Sequence, residues 1–139
     1  MAQLADTRTE ANLRDAFARE SEANRRFLYY AQQADSEGLA DVAALFRTLA
    51  EGEAGHAFGH LAFLEDSDES GRSAGPGRTQ DNLRRAAERE ASEAESFYPD
   101  LARQAREEGF ADIAEWFDTL AKAEERHAIK LRETLFSMG

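Results

Sequence analysis

The stretch AEGEAGHAFGH, residues 50–60, holds two of the chain's three histidines and sets Glu53 three residues before His56. On a helix, residues three apart share a face, so a Glu-x-x-His pair offers a carboxylate and an imidazole to one point in space. The same pair returns as Glu124 and His127 in AKAEERHA. Carboxylate oxygen and imidazole nitrogen together suit divalent first-row metals. The chain has no cysteine, so disulfides, thiolate metal sites and iron–sulfur clusters are excluded. Any metal must be held by oxygen and nitrogen.

The pair recurs because the two halves of the chain repeat. AQQADSEGLADVAALFRTLAEGEAGHA from Ala31 aligns with ARQAREEGFADIAEWFDTLAKAEERHA from Ala102 at a constant offset of 71. Gly38/Gly109, Asp41/Asp112, Phe46/Phe117, Glu53/Glu124 and His56/His127 fall in line. Upstream, NLRDAFARE ending at Glu20 matches NLRRAAERE ending at Glu90 at an offset of 70. The second half therefore carries one extra residue, placed by this alignment between Phe97 and Ala102. Pro99 lies there and has no N–H to give a helix, so a local π-type bulge is predicted in the third helix.

The elements that must position these residues are helices. Apolar residues recur at three- and four-residue steps, as in Leu39, Val42, Ala43, Leu45, Phe46, Leu49 and Ala50, and the chain has just two prolines, Pro76 and Pro99. The pattern predicts helices over 9–36, 39–64, 80–107 and 110–136, with Gly38 and Gly109 as breakers between paired helices. Residues 65–79 read as a solvated linker, with Thr79 or Asp81 as a cap for the third helix. Glu20 lies 18 residues before Gly38, and Glu53 and His56 lie 15 and 18 after it, so an antiparallel hairpin brings all three to one level. The second hairpin does the same for Glu90, Glu124 and His127. Two such hairpins about a pseudo-twofold axis predict an all-α four-helix bundle with four carboxylates and two imidazoles at its centre. Glu93, one turn beyond Glu90, adds a fifth carboxylate that the first half replaces with Ala23, so the site is expected to be asymmetric. Buried carboxylates are costly without cations, so two metal ions are expected to stabilise the fold.

The rest of the sequence sets limits on partners. At 139 residues the chain is the size of one ordinary domain, expected to span 1–139. A net charge of -11, from 28 acidic and 17 basic residues, argues against nucleic acid and anionic membranes as partners. No apolar stretch is long enough to cross a bilayer, and the start lacks a signal-peptide pattern, so a soluble cytoplasmic protein is expected. Trp116, Phe46, Phe117, Leu45 and Leu49 read as core. Tyr29 and Tyr30 are either packing residues or radical and proton-transfer partners. His60, one turn beyond His56, meets Leu131 in the other half and reads as a helix-end or surface residue. The acidic run EDSDES from Glu65 reads as a solvated loop.

The segments ARESEANRRFLYYAQQADSEG, LAEGEAGHA, EREASEAESFYPDLARQAREEG and AKAEERHA resemble the di-iron domain of the rubrerythrin family over nearly the whole chain. The resemblance implies a ferritin-like four-helix bundle, a fold whose di-metal members share a set of two glutamates plus two Glu-x-x-His motifs. It also implies that Glu20, Glu53, Glu90, Glu93, Glu124 and His127 bind two iron ions. Glu53 and Glu124 would bridge, Glu20 and Glu90 would be terminal or chelating ligands, and His56 would bind in the reduced state. One iron would shift between His56 and Glu93 with redox state. The implied activity is reduction of hydrogen peroxide to water, with electrons from NAD(P)H through a reductase and rubredoxin. Tyr98 matches the family tyrosine beside the glutamate cluster, where its hydroxyl would hydrogen-bond a carboxylate. Manganese or zinc would fit the same donors.

Two departures from the family pattern stand out. The four-cysteine rubredoxin domain is absent from this sequence, which implies an external electron donor. Phe27 stands where many relatives carry tyrosine, removing a hydroxyl near Glu93. A homodimer is expected. A helix of about 26 residues is about 39 Å long, and a linker of about fourteen residues reaches at most about 46 Å. The crossover can therefore close within one chain, or two chains can exchange hairpins in a domain-swapped dimer. The alternative functions are a ferritin-like ferroxidase that handles iron, and a helical module with a structural metal.

Overall fold

The structure, a computed structural model, describes residues 3–66 and 78–139. Every regular element among them is helical. They form two units, each an antiparallel helical hairpin. The first pairs α1 (Arg8–Ser36) with α2 (Ala40–Asp66). The second pairs α5 (Ala111–Ser137) with a long helix in three parts: α3 (Arg78–Ser92), a π-helical turn (Glu93–Phe97) and α4 (Tyr98–Glu107). Helices thus extend two residues into each end of the stretch expected to be linker, and the acidic run beyond Asp66 lies outside the described residues. Thr79 and Asp81 fall within the first turn of α3 rather than at its cap.

Local chemistry sets the helix ends. Thr7 accepts the Glu10 N–H at 3.1 Å and caps α1. Gly38, at φ +78°, ends α1 by letting Leu39 N–H reach back to Ala34 O at 2.9 Å and Gly38 N–H to Asp35 O at 3.0 Å. Gly109, at φ +90°, repeats both bonds, from Phe110 to Ala105 at 2.8 Å and from Gly109 to Arg106 at 3.1 Å. Both turns are Schellman motifs, and the left-handed φ is what demands glycine.

Each hairpin is closed by small residues. Ala31, Ala34 and Ala43 are buried beside Phe46, and Ala102, Ala105 and Ala114 beside Phe117, at the repeat offset of 71. Phe46 stacks on Phe27 at a centroid distance of 6.1 Å, and Phe117 stacks on Tyr98 at 6.0 Å, so Phe27 and Tyr98 are counterparts. Trp116, Leu45 and Leu49, expected in the core, are exposed, Trp116 by 58%. A two-helix seam has room for alanine at its centre, while larger side chains on the same face stand beyond it. Tyr29 is exposed, and Tyr30 packs edge-on against Phe27 and Phe46.

An ion pair spans each turn with its charges exchanged. Arg47 donates to Asp35 at 2.9 Å in the first hairpin, and Arg106 donates to Asp118 in the second. The hydrogen bond from Arg47 outweighs desolvation and holds the Asp35 carboxyl below its ordinary value; the same bond raises Arg47.

The π-turn confirms a bulge in the third helix but begins four residues before the predicted interval. Tyr98 N–H bonds Glu93 O, an i to i+5 bond, and the Ser96 hydroxyl donates to Ser92 O at 3.1 Å. Pro99 sits in the first turn of α4, where its missing N–H is tolerated, so the extra residue is absorbed upstream of it.

Candidate metal centre

In the first hairpin, Glu20 from the middle of α1 meets Glu53 and His56 from the middle of α2. Each offers a ligand atom within 4.8 Å of the others. His56 Nδ1 lies 3.6 Å from Glu20 Oε2 and 3.8 Å from Glu53 Oε2. In the second hairpin, Glu90 from α3 meets Glu124 and His127 from α5 within the same limit, with His127 Nδ1 3.8 Å from Glu90 Oε1. Each triplet has the level that counting residues from the turn glycine requires. The carboxylates are half-buried along the seams, whereas the side chains of His56 and His127 are 62% and 60% exposed.

The donor set passes a physical test for a cation. Glu90 Oε2 and Glu124 Oε2 are both shielded from water and have no hydrogen-bond partner among the described residues. A shielded carboxylate oxygen without a donor is destabilising unless something positive meets it. Two such oxygens in one triplet that also contains an imidazole fit a divalent metal.

Glu93 and Tyr98 stand beside this arrangement. Glu93 opens the π-turn and accepts from Arg89 Nε at 3.0 Å; it is not part of the Glu90 triplet. π-Turns of this kind recur at functional sites because they rotate one side chain out of helical register. Tyr98 lies between Phe97, edge-on at 5.0 Å, and Phe117. Its hydroxyl makes no hydrogen bond to a carboxylate among the described residues.

His60 departs from its sequence reading. It is half-buried, and its Nε2 lies 3.1 Å from Glu20 Oε2. Comparison between the repeats hides it, because Leu131 occupies the equivalent place and the repeat is the guide to the site. The signal present in the sequence is its spacing: four residues beyond His56 is the same helical face. Asn24 carries no comparable signal. Its side chain donates to Ala50 O at 2.7 Å and ties α1 to α2 three residues before Glu53.

Comparison with known proteins agrees with this geometry. The rubrerythrin family model matches residues 11–135. Rubrerythrin of Nitratidesulfovibrio vulgaris is 39% identical over 131 residues, covering 91% of this chain and 69% of that protein. Rubrerythrin of Porphyromonas gingivalis is 39% identical over 125 residues, with 87% and 62% covered. Rubrerythrin of Clostridium perfringens is 37% identical over 136 residues, with 91% and 69% covered. The chain thus spans about two thirds of the length of these relatives.

Proposed function

Since this chain belongs to the rubrerythrin family, we propose that its two triplets together hold a pair of iron ions and that the loaded protein reduces hydrogen peroxide to water. The duplicated triplet carries this reading. One triplet alone would leave most of an ion's positions to water, whereas the same carboxylate-rich set given twice, with Glu93 as a seventh donor, suits two ions that share carboxylates. Glu20 and Glu90 would serve as terminal carboxylates, Glu53 and Glu124 as shared ones, and His56 and His127 would give one nitrogen donor apiece. When bound, ferrous ions supply the two electrons that O–O cleavage takes.

The chain's own residues do the remaining work. The carboxylates offset the cations' charge and fix their spacing. Glu93, paired with Arg89 here, would supply a further carboxylate to the bound metals, and the π-turn that it opens sets it out of regular helical register. His56, the most exposed member of its triplet, would be the nitrogen donor that Glu93 can replace. Tyr98, its ring packed against Phe97 and Phe117, would bring its hydroxyl to a carboxylate only in the metal-loaded protein.

Each hairpin leaves large apolar side chains exposed, among them Leu45, Leu49, Phe58, Ile113 and Trp116. Exposed apolar area of this kind favours a covered state, a ferritin-like bundle within a homodimer. The cover comes from the other hairpin of the same chain or from that of a second copy. No helix among the described residues is long and apolar enough to cross a membrane. Electrons come from a separate donor such as rubredoxin or an NAD(P)H-dependent reductase.

Anaerobic stopped-flow absorbance tests the activity. The ferrous protein is mixed separately with hydrogen peroxide and with oxygen at equal concentration. Much faster oxidation by peroxide, at one peroxide per iron pair, is expected. A preference for oxygen with continued uptake of added Fe(II) would instead assign a ferroxidase, and no oxidation by either would leave a structural metal.

A further inference from the structure

The two triplets differ in how the terminal carboxylate is held. In the second hairpin, Glu90 Oε2 has no partner among the described residues, and Leu131 occupies the position one turn beyond His127. In the first hairpin that position is His60, and Glu20 Oε2 accepts from its Nε2 at 3.1 Å. His60 is 27% exposed, and Glu20 is 30% exposed, so the bond is partly sheltered from competing water. The repeat thus supplies its own comparison: the same carboxylate on the same fold, with and without an imidazole behind it.

We propose that His60 is a positioning residue for Glu20, its Nε2–H anchoring Oε2 so that the carboxylate meets the metal in one fixed orientation. An ionised carboxylate can only accept, so the bond fixes the ring as the tautomer that carries its proton on Nε2. Holding one oxygen restrains rotation of the Glu20 carboxylate. Glu90, without such an anchor, keeps its rotational freedom. The two ions are therefore bound unequally, by an asymmetry separate from that of Glu93. Ordering a ligand before the metal arrives removes an entropy cost from binding, and outer partners of this kind typically change metal affinity about 10- to 100-fold.

This role for His60 rests on the two-metal reading, and one set of titrations separates the two. Metal-free wild type, His60→Leu and His60→Gln are titrated anaerobically with Co(II) alone, followed by visible absorption, with far-UV circular dichroism of each metal-free protein as the check on folding. Leucine copies the second hairpin; glutamine restores a side-chain N–H able to reach the same oxygen.

Wild type is expected to take up two Co(II) per chain. In His60→Leu, one of the two binds about 10- to 100-fold more weakly, with an altered absorption band, while the other is unchanged. In His60→Gln, the affinity returns to within about threefold of wild type, about 0.65 kcal/mol at 25 °C. Superimposable isotherms and spectra for wild type and His60→Leu would overturn the positioning role with the two-metal reading intact. Equal weakening in the leucine and glutamine variants would overturn it in favour of packing. Failure of wild type to bind any Co(II) would overturn the two-metal reading and the positioning role with it.

Discussion

Glu20 Oε2 is approached by two imidazoles, His60 Nε2 at 3.1 Å and His56 Nδ1 at 3.6 Å, whereas Glu90 has His127 Nδ1 at 3.8 Å from Oε1 and no hydrogen-bond partner for Oε2 among the described residues. Residue types therefore diverged where the backbone repeated. Phe27 and Tyr98 are a second such pair: each ring stacks on its hairpin's phenylalanine at nearly the same distance, and they differ by one hydroxyl. Phe27→Tyr should therefore fold unchanged, because the other hairpin already carries a tyrosine at the counterpart place. An added donor near the carboxylates is worth about 1 kcal/mol, or about fivefold in rate. Peroxide reoxidation of the ferrous variant should be faster by about that factor in stopped-flow; rates equal to wild type would mean that the missing hydroxyl has no part in the reaction. Among single residues, the Glu and His members of the two triplets are plain in the sequence because each appears twice. His60 and Asn24 are hidden because each appears once.

Helices and turns are the most legible level. Glycine at each hairpin turn and uninterrupted three- and four-residue periodicity place the helix ends within two residues of their observed limits. Two features are harder to read. Proline marks where a helical hydrogen bond is missing but not where an extra residue is absorbed, so the π-turn lies upstream of Pro99. Periodicity reveals an apolar face but not what covers it, so Trp116, Leu45 and Leu49 read as members of a core that the alanines in fact occupy. The ion pairs that span the turns act between elements. Because Arg47 lowers the Asp35 pKa, its contribution to stability is present above the unfolded carboxyl value, about 3.9, and is lost as pH falls through the lower folded value. Asp35→Asn should be slightly less stable than wild type in urea at neutral pH, and the gap should close as pH falls through that range. A gap that persists in acid would mean that the pair acts by something other than charge. Both partners are well exposed, so added salt should shrink the effect.

For the whole molecule, duplication is the organising fact. One hairpin supplies two carboxylates and one imidazole on a seam of alanines, with large apolar residues left exposed, and the second hairpin repeats that set. Counting from Gly38 and Gly109 is enough to foresee both triplets, since an antiparallel hairpin leaves little freedom in which residues come level. Which hairpins join, those of one chain or of two, depends on the crossover and is not legible, because linker reach permits both. Everything proposed for the site requires that the two triplets bind two ions close enough to share carboxylates. Mössbauer spectroscopy of the oxidised protein, loaded with the enriched isotope, reads that proximity from the iron itself. A bridged diferric pair couples its spins to a diamagnetic ground state, so the expected spectrum is a quadrupole doublet that stays free of internal magnetic splitting at low temperature in a weak field, with two irons per chain. A magnetically split spectrum from isolated ferric ions would contradict the shared site.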